Sequence, residues 1–245
     1  MQPELSTAKI AHTLSAELTL TLRDAIITGE IAQGSKLSET KLASELEVSR
    51  GPLREALRNL EGMNLVHSIP QQGARVVILK PDLVLQIYDA REALESKAAA
   101  LAAQHMASNE IDELHRVIDA STKQMKETTG AFFPAEFDYA FHEALIKGSH
   151  NKVIERALLL ELYNLIKMFR YQNDFANQSS GNALIEHRQI AYAIEQRDPT
   201  LAEVTMRRHI AHARERIARK LSQQSRNLTA GLSTSPPYKS GVNHE

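Results

Sequence analysis

Asp138 and His142 stand four residues apart, and a four-residue step on a helix puts both side chains on one face. A carboxylate and an imidazole so placed can share a divalent ion. Phe137 and Phe141 flank them and Phe133 lies just upstream, so this face is expected to point inward. His187 and His209 lie on two later helical segments that meet near Asp198. His187 precedes that turn by 11 residues and His209 follows it by 11. At ~1.5 Å per residue, both imidazoles then sit at the same depth, about 16 Å along an antiparallel pair. Equal depth is what two ligands of one ion require. One carboxylate and three imidazoles suit Zn²⁺, Ni²⁺ or a similar borderline ion. The chain holds 10 histidines, so the blander alternative is four separate helix or core residues.

Arg91 interrupts an apolar stripe of Val84, Ile87, Leu94, Ala98 and Leu101. A buried arginine needs a partner. Glu95, one turn on, can pair with it; alternatively its guanidinium receives a ligand carboxylate in bidentate fashion. Tyr88, Asn164 and Arg170 are further candidates to line such a cavity.

A second set of residues points to nucleic acid. Leu53, Ala56, Leu57 and Leu60 form one apolar helix face, while Arg50, Arg54 and Arg58, each four apart, line another. Ser49, Arg50 and Gly51 stand at the helix start, where free backbone N–H groups and the positive dipole end favour phosphate. Residues 49–80 carry 5 basic and 2 acidic side chains, a local surplus hidden by the net charge of −1. An apolar back with guanidiniums in front is what a major-groove reader needs. Gln71, Gln72 and Gly73 then form the tip of a hairpin, where glycine lets the backbone come close to a partner. A solvated face, with Arg54 and Arg58 paired to nearby glutamates, is the plain alternative.

The elements that must position these residues divide the chain. At 245 residues with 42% hydrophobic and 24% charged residues, the chain has material for one or two folded domains. Cysteine is absent, which excludes disulfides, thiolate metal sites and thiol nucleophiles. No signal-like or membrane-length apolar run occurs, so a cytoplasmic protein with no membrane partner is expected. Residues 1–80 read as helices over 11–29, 39–46 and 50–63, then a hairpin of 65–69 and 74–79. Ser49 is the expected cap of the third helix, and Asn64 tolerates the left-handed turn that ends it. Residues 81–222 read as six helices: 82–106, 109–127 with Ser108 as cap, 134–147, 151–171, 181–196 and 200–222. Residues 223–245 read as a disordered tail. The expected fold class is mainly α: a winged helix-turn-helix followed by an all-α, six-helix antiparallel bundle.

Residues 37–43 (Leu-Ser-Glu-Thr-Lys-Leu-Ala), 48–57 (Val-Ser-Arg-Gly-Pro-Leu-Arg-Glu-Ala-Leu) and 73–76 (Gly-Ala-Arg-Val) resemble the winged helix of GntR-family transcription regulators. The resemblance implies DNA contacts from Ser49, Arg50, Gly51, Arg54, Gln72 and Gly73. Gly51 stands where the family usually has threonine, and Asn64 where many members have glycine. Residues 91–95, 137–142, 186–190 and 206–210 resemble the FCD domain that accompanies this winged helix in the FadR subfamily, in its six-helix, VanR-like branch. That likeness implies a divalent ion at Asp138, His142, His187 and His209, with a small carboxylate effector completing the shell and Arg91 as a candidate contact. The function that follows is a homodimeric regulator of a palindromic DNA operator, by default a repressor released by its effector. A constitutive DNA-binding dimer and an all-α metalloenzyme are the alternatives. Against the enzyme, His142-Glu143 is followed by Ile146 where the HExxH motif needs its second histidine.

Overall fold

A computed structural model describes residues 4–127, 135–173 and 181–232. Phe133 and residues 233–245 lie outside the described residues. The chain runs α1 (Glu4–Thr28), β1 (Lys36–Leu37), α2 (Glu39–Glu45), α3 (Arg50–Gly62), β2 (Val66–Ile69) and β3 (Gly73–Val76). It continues as α4 (Pro81–His105), α5 (Ser108–Glu127), α6 (Ala135–Gly148), α7 (Lys152–Glu155), a π-helical stretch (Arg156–Leu162), α8 (Tyr163–Gln172), α9 (Gly181–Glu195) and α10 (Pro199–Leu232).

The first six elements build the winged helix. Leu53, Ala56, Leu57 and Leu60 of α3 are buried, packing with Leu18, Leu22 and Ile26 of α1 and with Leu37, Val66 and Val76 of the sheet. The i, i+3, i+4, i+7 spacing thus selects the buried face, and Arg50, Arg54 and Arg58 lie on the exposed side. The sheet order is β1-β3-β2, all antiparallel, with Leu37 opposite Ala74 and Val66 opposite Val76. Two residues are too few to show a period, which is why β1 is illegible in sequence. Asn64 has φ +58°, and the wing tip turns through Gln71 (φ +64°) and Gly73 (φ +83°). Ser49 occupies the N-cap position of α3 with extended backbone, but its hydroxyl makes no capping hydrogen bond.

The bundle has six rods, because α7, the π-helical stretch and α8 run on as one. Buried positions along that rod include 154, 158, 163, 166 and 170. The step from Leu158 to Tyr163 is five residues, one π turn, and it keeps the downstream residues on the inward face. The sequence reads as one α-helix here, since a single wide turn leaves the overall apolar period intact. Ser108 is the first residue of α5 rather than its cap. Glu110 reaches back instead, accepting from the Ala107 N–H at 2.7 Å. Asp198 caps α10 through the Leu201 N–H at 2.9 Å. α10 extends to Leu232, past the Ser222 at which the periodicity ends, because residues 223–232 hold nothing that breaks a helix before Gly231. Leu79 enters the core at the junction, its N–H bonded to the Gln33 side chain at 2.8 Å, and Pro81 opens α4. Among the described residues no helix is long and apolar enough to cross a membrane.

Candidate metal centre and DNA-reading face

Three rods bring four side chains together. α6 supplies Asp138 and His142 one turn apart, α9 supplies His187 and α10 supplies His209. All four are buried, and one donor atom from each lies within 4.8 Å of every other. His209 Nε2 is 3.2 Å from His142 Nε2 and 3.3 Å from His187 Nε2. Asp138 Oδ1 is 3.6 Å from His187 Nε2 and 3.8 Å from His142 Nε2. Ligands ~2.0–2.1 Å from a tetrahedral ion stand about 3.3 Å apart, so these separations suit one ion among the four donors.

Each of the four candidate ligands meets a further side chain. His142 Nδ1 lies 2.6 Å from Glu95 Oε2; the approach is off-axis, and neither atom has another partner. His209 Nδ1 lies 2.7 Å from Glu186 Oε2, and Glu186 also meets His212. Asp138 Oδ2 accepts from Arg170 Nη1 at 2.7 Å. His187 stacks on Phe141 with ring centres 3.9 Å apart. Carboxylates behind ligating imidazoles fix the ring and raise its basicity. Burial pushes the Asp138 carboxyl up, but Arg170 and the three imidazoles outweigh it and hold it well below the usual range. Glu95 follows the same balance: burial raises it, and Arg91 with His142 brings it down to about 2. Burial lowers both His187 and His209, with neighbouring imidazoles adding to it, so both are neutral and ready to ligate.

Arg91 makes the pair with Glu95 that its sequence position offers. Its Nε donates to Glu95 Oε1 at 2.5 Å and its Nη2 to the Tyr163 hydroxyl at 3.1 Å. The same guanidinium lines a cavity of about 290 Å³ beside Asp138, His142 and His209. Tyr88 and Arg170 line that cavity too. Asn164 does not; its amide donates to the Leu160 carbonyl on its own rod. Residues that spacing alone left unnoticed are Arg216, Arg219 and Lys220 of α10, which form the cavity's mouth. Their signal was available: they continue the helix face of His209 at i+7, i+10 and i+11.

On the winged helix, Ser49, Arg50, Gly51, Arg54 and Arg58 are exposed, as are Gln72 and Gly73 at the wing. Arg54 meets Glu39 of α2 at 2.7 Å, both ends wet. Such a pair contributes about 0–1 kcal/mol and yields readily to phosphate. Gly51 leaves open space where a side chain would stand. The two domains touch through α1 and α8. Gln172 donates to the Ile26 carbonyl at 2.7 Å and accepts from the Gln33 side chain at 2.8 Å.

A winged helix with an outward arginine row, joined to a helical bundle around a buried polar cavity, defines the class of two-domain DNA-binding regulators. The description "Bacterial regulatory proteins, gntR family" matches residues 14–76, and "FCD domain" matches residues 86–212. The chain is 28% identical to the HTH-type transcriptional regulator YdhC of Bacillus subtilis (strain 168), over 84% of this chain and 92% of that protein. It is 28% identical to a probable D-xylose utilization operon transcriptional repressor of Paenarthrobacter nicotinovorans, over 76% and 80% of the two. It shares the fold of E. coli McbR/YncC, with a TM-score of 0.66 at 18% identity, covering 85% and 98%. The chain therefore belongs to the GntR family of bacterial regulatory proteins, with an FCD domain as its second half. It is a DNA-binding transcriptional regulator, as its family and relatives are.

Proposed function

We propose that this regulator is a metal-dependent acid sensor that represses from a palindromic operator as a homodimer and lets go when its effector binds. The observation that carries this is the meeting of Asp138, His142, His187 and His209 in a cavity they share with Arg91. Zn²⁺ or Ni²⁺ is the ion these donors fit, and it would supply a Lewis-acid seat for a small carboxylate. Arg91, held by Glu95 and Tyr163, faces the same space and gives a second cationic contact. Ser49, Arg50, Gly51, Arg54 and Arg58 read the operator, with Gln72 and Gly73 placed to touch the backbone from the wing. Two-fold operator symmetry calls for two copies of the chain.

The test is fluorescence anisotropy on DNA from beside the protein's own gene. The metal-loaded protein binds that DNA selectively, with an affinity that falls steeply with salt. A screen of small carboxylates then finds one that releases it, and EDTA or the H187A/H209A variant abolishes release. Binding that ignores both sequence and salt refutes the DNA half. Release that survives loss of both histidines, or thermal stability that no metal or acid changes, refutes the sensing half and favours a constitutive DNA-binding dimer.

A further inference from the structure

The metal end of the cavity accounts for one acidic group of an effector, yet the cationic lining does not stop there. On α10, His209, Ala213, Arg216, Ile217 and Lys220 follow one another along a single face. At ~1.5 Å per residue, Arg216 stands about 10 Å and Lys220 about 16 Å further along the axis than His209. Arg170 faces them from α8. Asp138 is the one carboxylate among the described lining residues, and Arg170 already holds it.

Two of these cations, Arg216 and Arg219, are poorly compensated. Arg216 has no ion-pair partner among the described residues, and Arg219 donates only to the Glu215 carbonyl at 3.4 Å. Arg216 and Arg219 also line an outer groove with Glu186 and Glu215, but neither carboxylate forms an ion pair with them. Burial, then the neighbouring guanidiniums of Arg170 and Arg216, hold the Lys220 ammonium below the usual lysine range. Three cations thus crowd a half-covered opening, an arrangement that favours an incoming anion. A cavity of about 290 Å³ has room for about ten water-sized groups, hence for a compact molecule.

We infer that the effector is a compact dianion: one carboxylate at the metal and Arg91, and a second anionic group, carboxylate or phosphate, held at the mouth by Arg216, Arg219 and Lys220. This rests on the acid-sensing reading and adds the class of acid. Guanidinium and ammonium groups attract carboxylate and phosphate alike, so the second group is defined by its charge and position.

The test is calorimetric titration of the full chain loaded with Zn²⁺, using glycerate as monoanion, malate and 2-hydroxyglutarate as dianions, and 3-phosphoglycerate, whose phosphate carries about −1.5 to −2 at pH 7, as the phosphate-bearing acid. All four present the same chelating hydroxy acid. The dianions bind at least tenfold tighter than glycerate, and the ranking of malate against 3-phosphoglycerate tells carboxylate from phosphate at the mouth. In R216Q/K220Q, titrated at saturating Zn²⁺, the preference falls to threefold or less because the dianions lose more affinity than glycerate does. R219Q, at an exposed position, moves the preference the same way and serves if the double variant does not fold. Glycerate binding as tightly as the dianions in the wild type, or a preference that survives these substitutions, overturns the inference and leaves acid sensing intact. Binding of no acid at all, with Zn²⁺ bound, overturns both.

Discussion

Glu95 is the residue whose removal says most about how the bundle works. It is 0% exposed and its two oxygens face different partners, Arg91 at 2.5 Å and His142 at 2.6 Å. Replacing it by alanine leaves the Arg91 charge buried and unpaired, apart from the Tyr163 hydroxyl. Breaking one side of a buried pair costs about 3–5 kcal/mol. At about 2–4 °C per kcal/mol for a chain of this size, the melting temperature of E95A falls by roughly 6–20 °C. The second loss is separate. Without its carboxylate, the His142 ring is no longer oriented, and metal affinity drops about 10–100-fold. The double variant R91M/E95L separates the two effects, because replacing a buried pair by apolar groups of similar volume is often neutral or better. It recovers most of the melting temperature while metal affinity stays low. Calorimetric melting and competition against a chromophoric chelator read the two quantities. If E95A melts within about 2 °C of the wild type, the pair is not the buried strut described above. If the double variant restores metal affinity along with stability, Glu95 does not orient His142.

Three other outcomes follow from the same geometry. In metal-free protein, burial and the other imidazoles hold His187 below its ordinary 6.5, and burial lowers His209 as well. Stability is then full above that pH and falls as pH drops below it, by about 1.4 kcal/mol per pH unit for each imidazole that gains a proton on unfolding. A melting temperature that is flat from pH 7.5 to 5.5, or an H187Q variant with an undiminished slope, contradicts this. On the winged helix, R50A and R58A weaken operator binding, by about 1–3 kcal/mol where the arginine reads a guanine, and reduce the salt slope by about 1 where it meets phosphate. E39Q frees Arg54 and tightens binding a few-fold; anisotropy titrations at several salt concentrations check all three variants. Q172A removes the side chain that binds Ile26 and Gln33 across the domain boundary. It leaves effector affinity within about twofold but blunts the effect of effector on DNA affinity, and full retention of that effect excludes Gln172 as a link.

What the sequence disclosed and what it hid have physical reasons. The apolar face of α3 and the arginine row beside it share one short period, so both emerge from spacing. His187 and His209 were placed by counting from one tight turn, and a helical hairpin fixes depth with few ways to err. Asp138 and His142 needed only the four-residue step. The partners behind the ligands are another matter. Glu95 meets His142 from α4, and Arg170 meets Asp138 from α8, across distances in sequence that no period encodes. The π turn hid because it preserves the inward stripe rather than breaking it. Arg216, Arg219 and Lys220 were overlooked because basic residues late in a helix read as ordinary solvated charge. Their setting becomes visible only once α10 lies against α4 and the cavity has walls.

The path between cavity and DNA is short, and it constrains how any signal passes. Arg170 and Gln172 are two residues apart on α8, one bonded to Asp138 in the cavity and the other to α1 of the winged helix. Gln33 extends the chain of contacts, since it touches Gln172 with its amide N–H and holds the Leu79 N–H at the start of the interdomain connection. An ion held by Asp138 would bear on α8 through the Asp138–Arg170 bond, and an anion near Arg170 would bear on it directly. Contact alone moves no equilibrium; a ligand shifts the protein only by binding one arrangement of that rod more tightly than another. A tenfold difference in effector affinity between two such arrangements changes DNA affinity by at most tenfold. Arg170 is the α8 side chain that lines the cavity, so an effector acts through this rod only to the extent that its binding depends on where Arg170 stands.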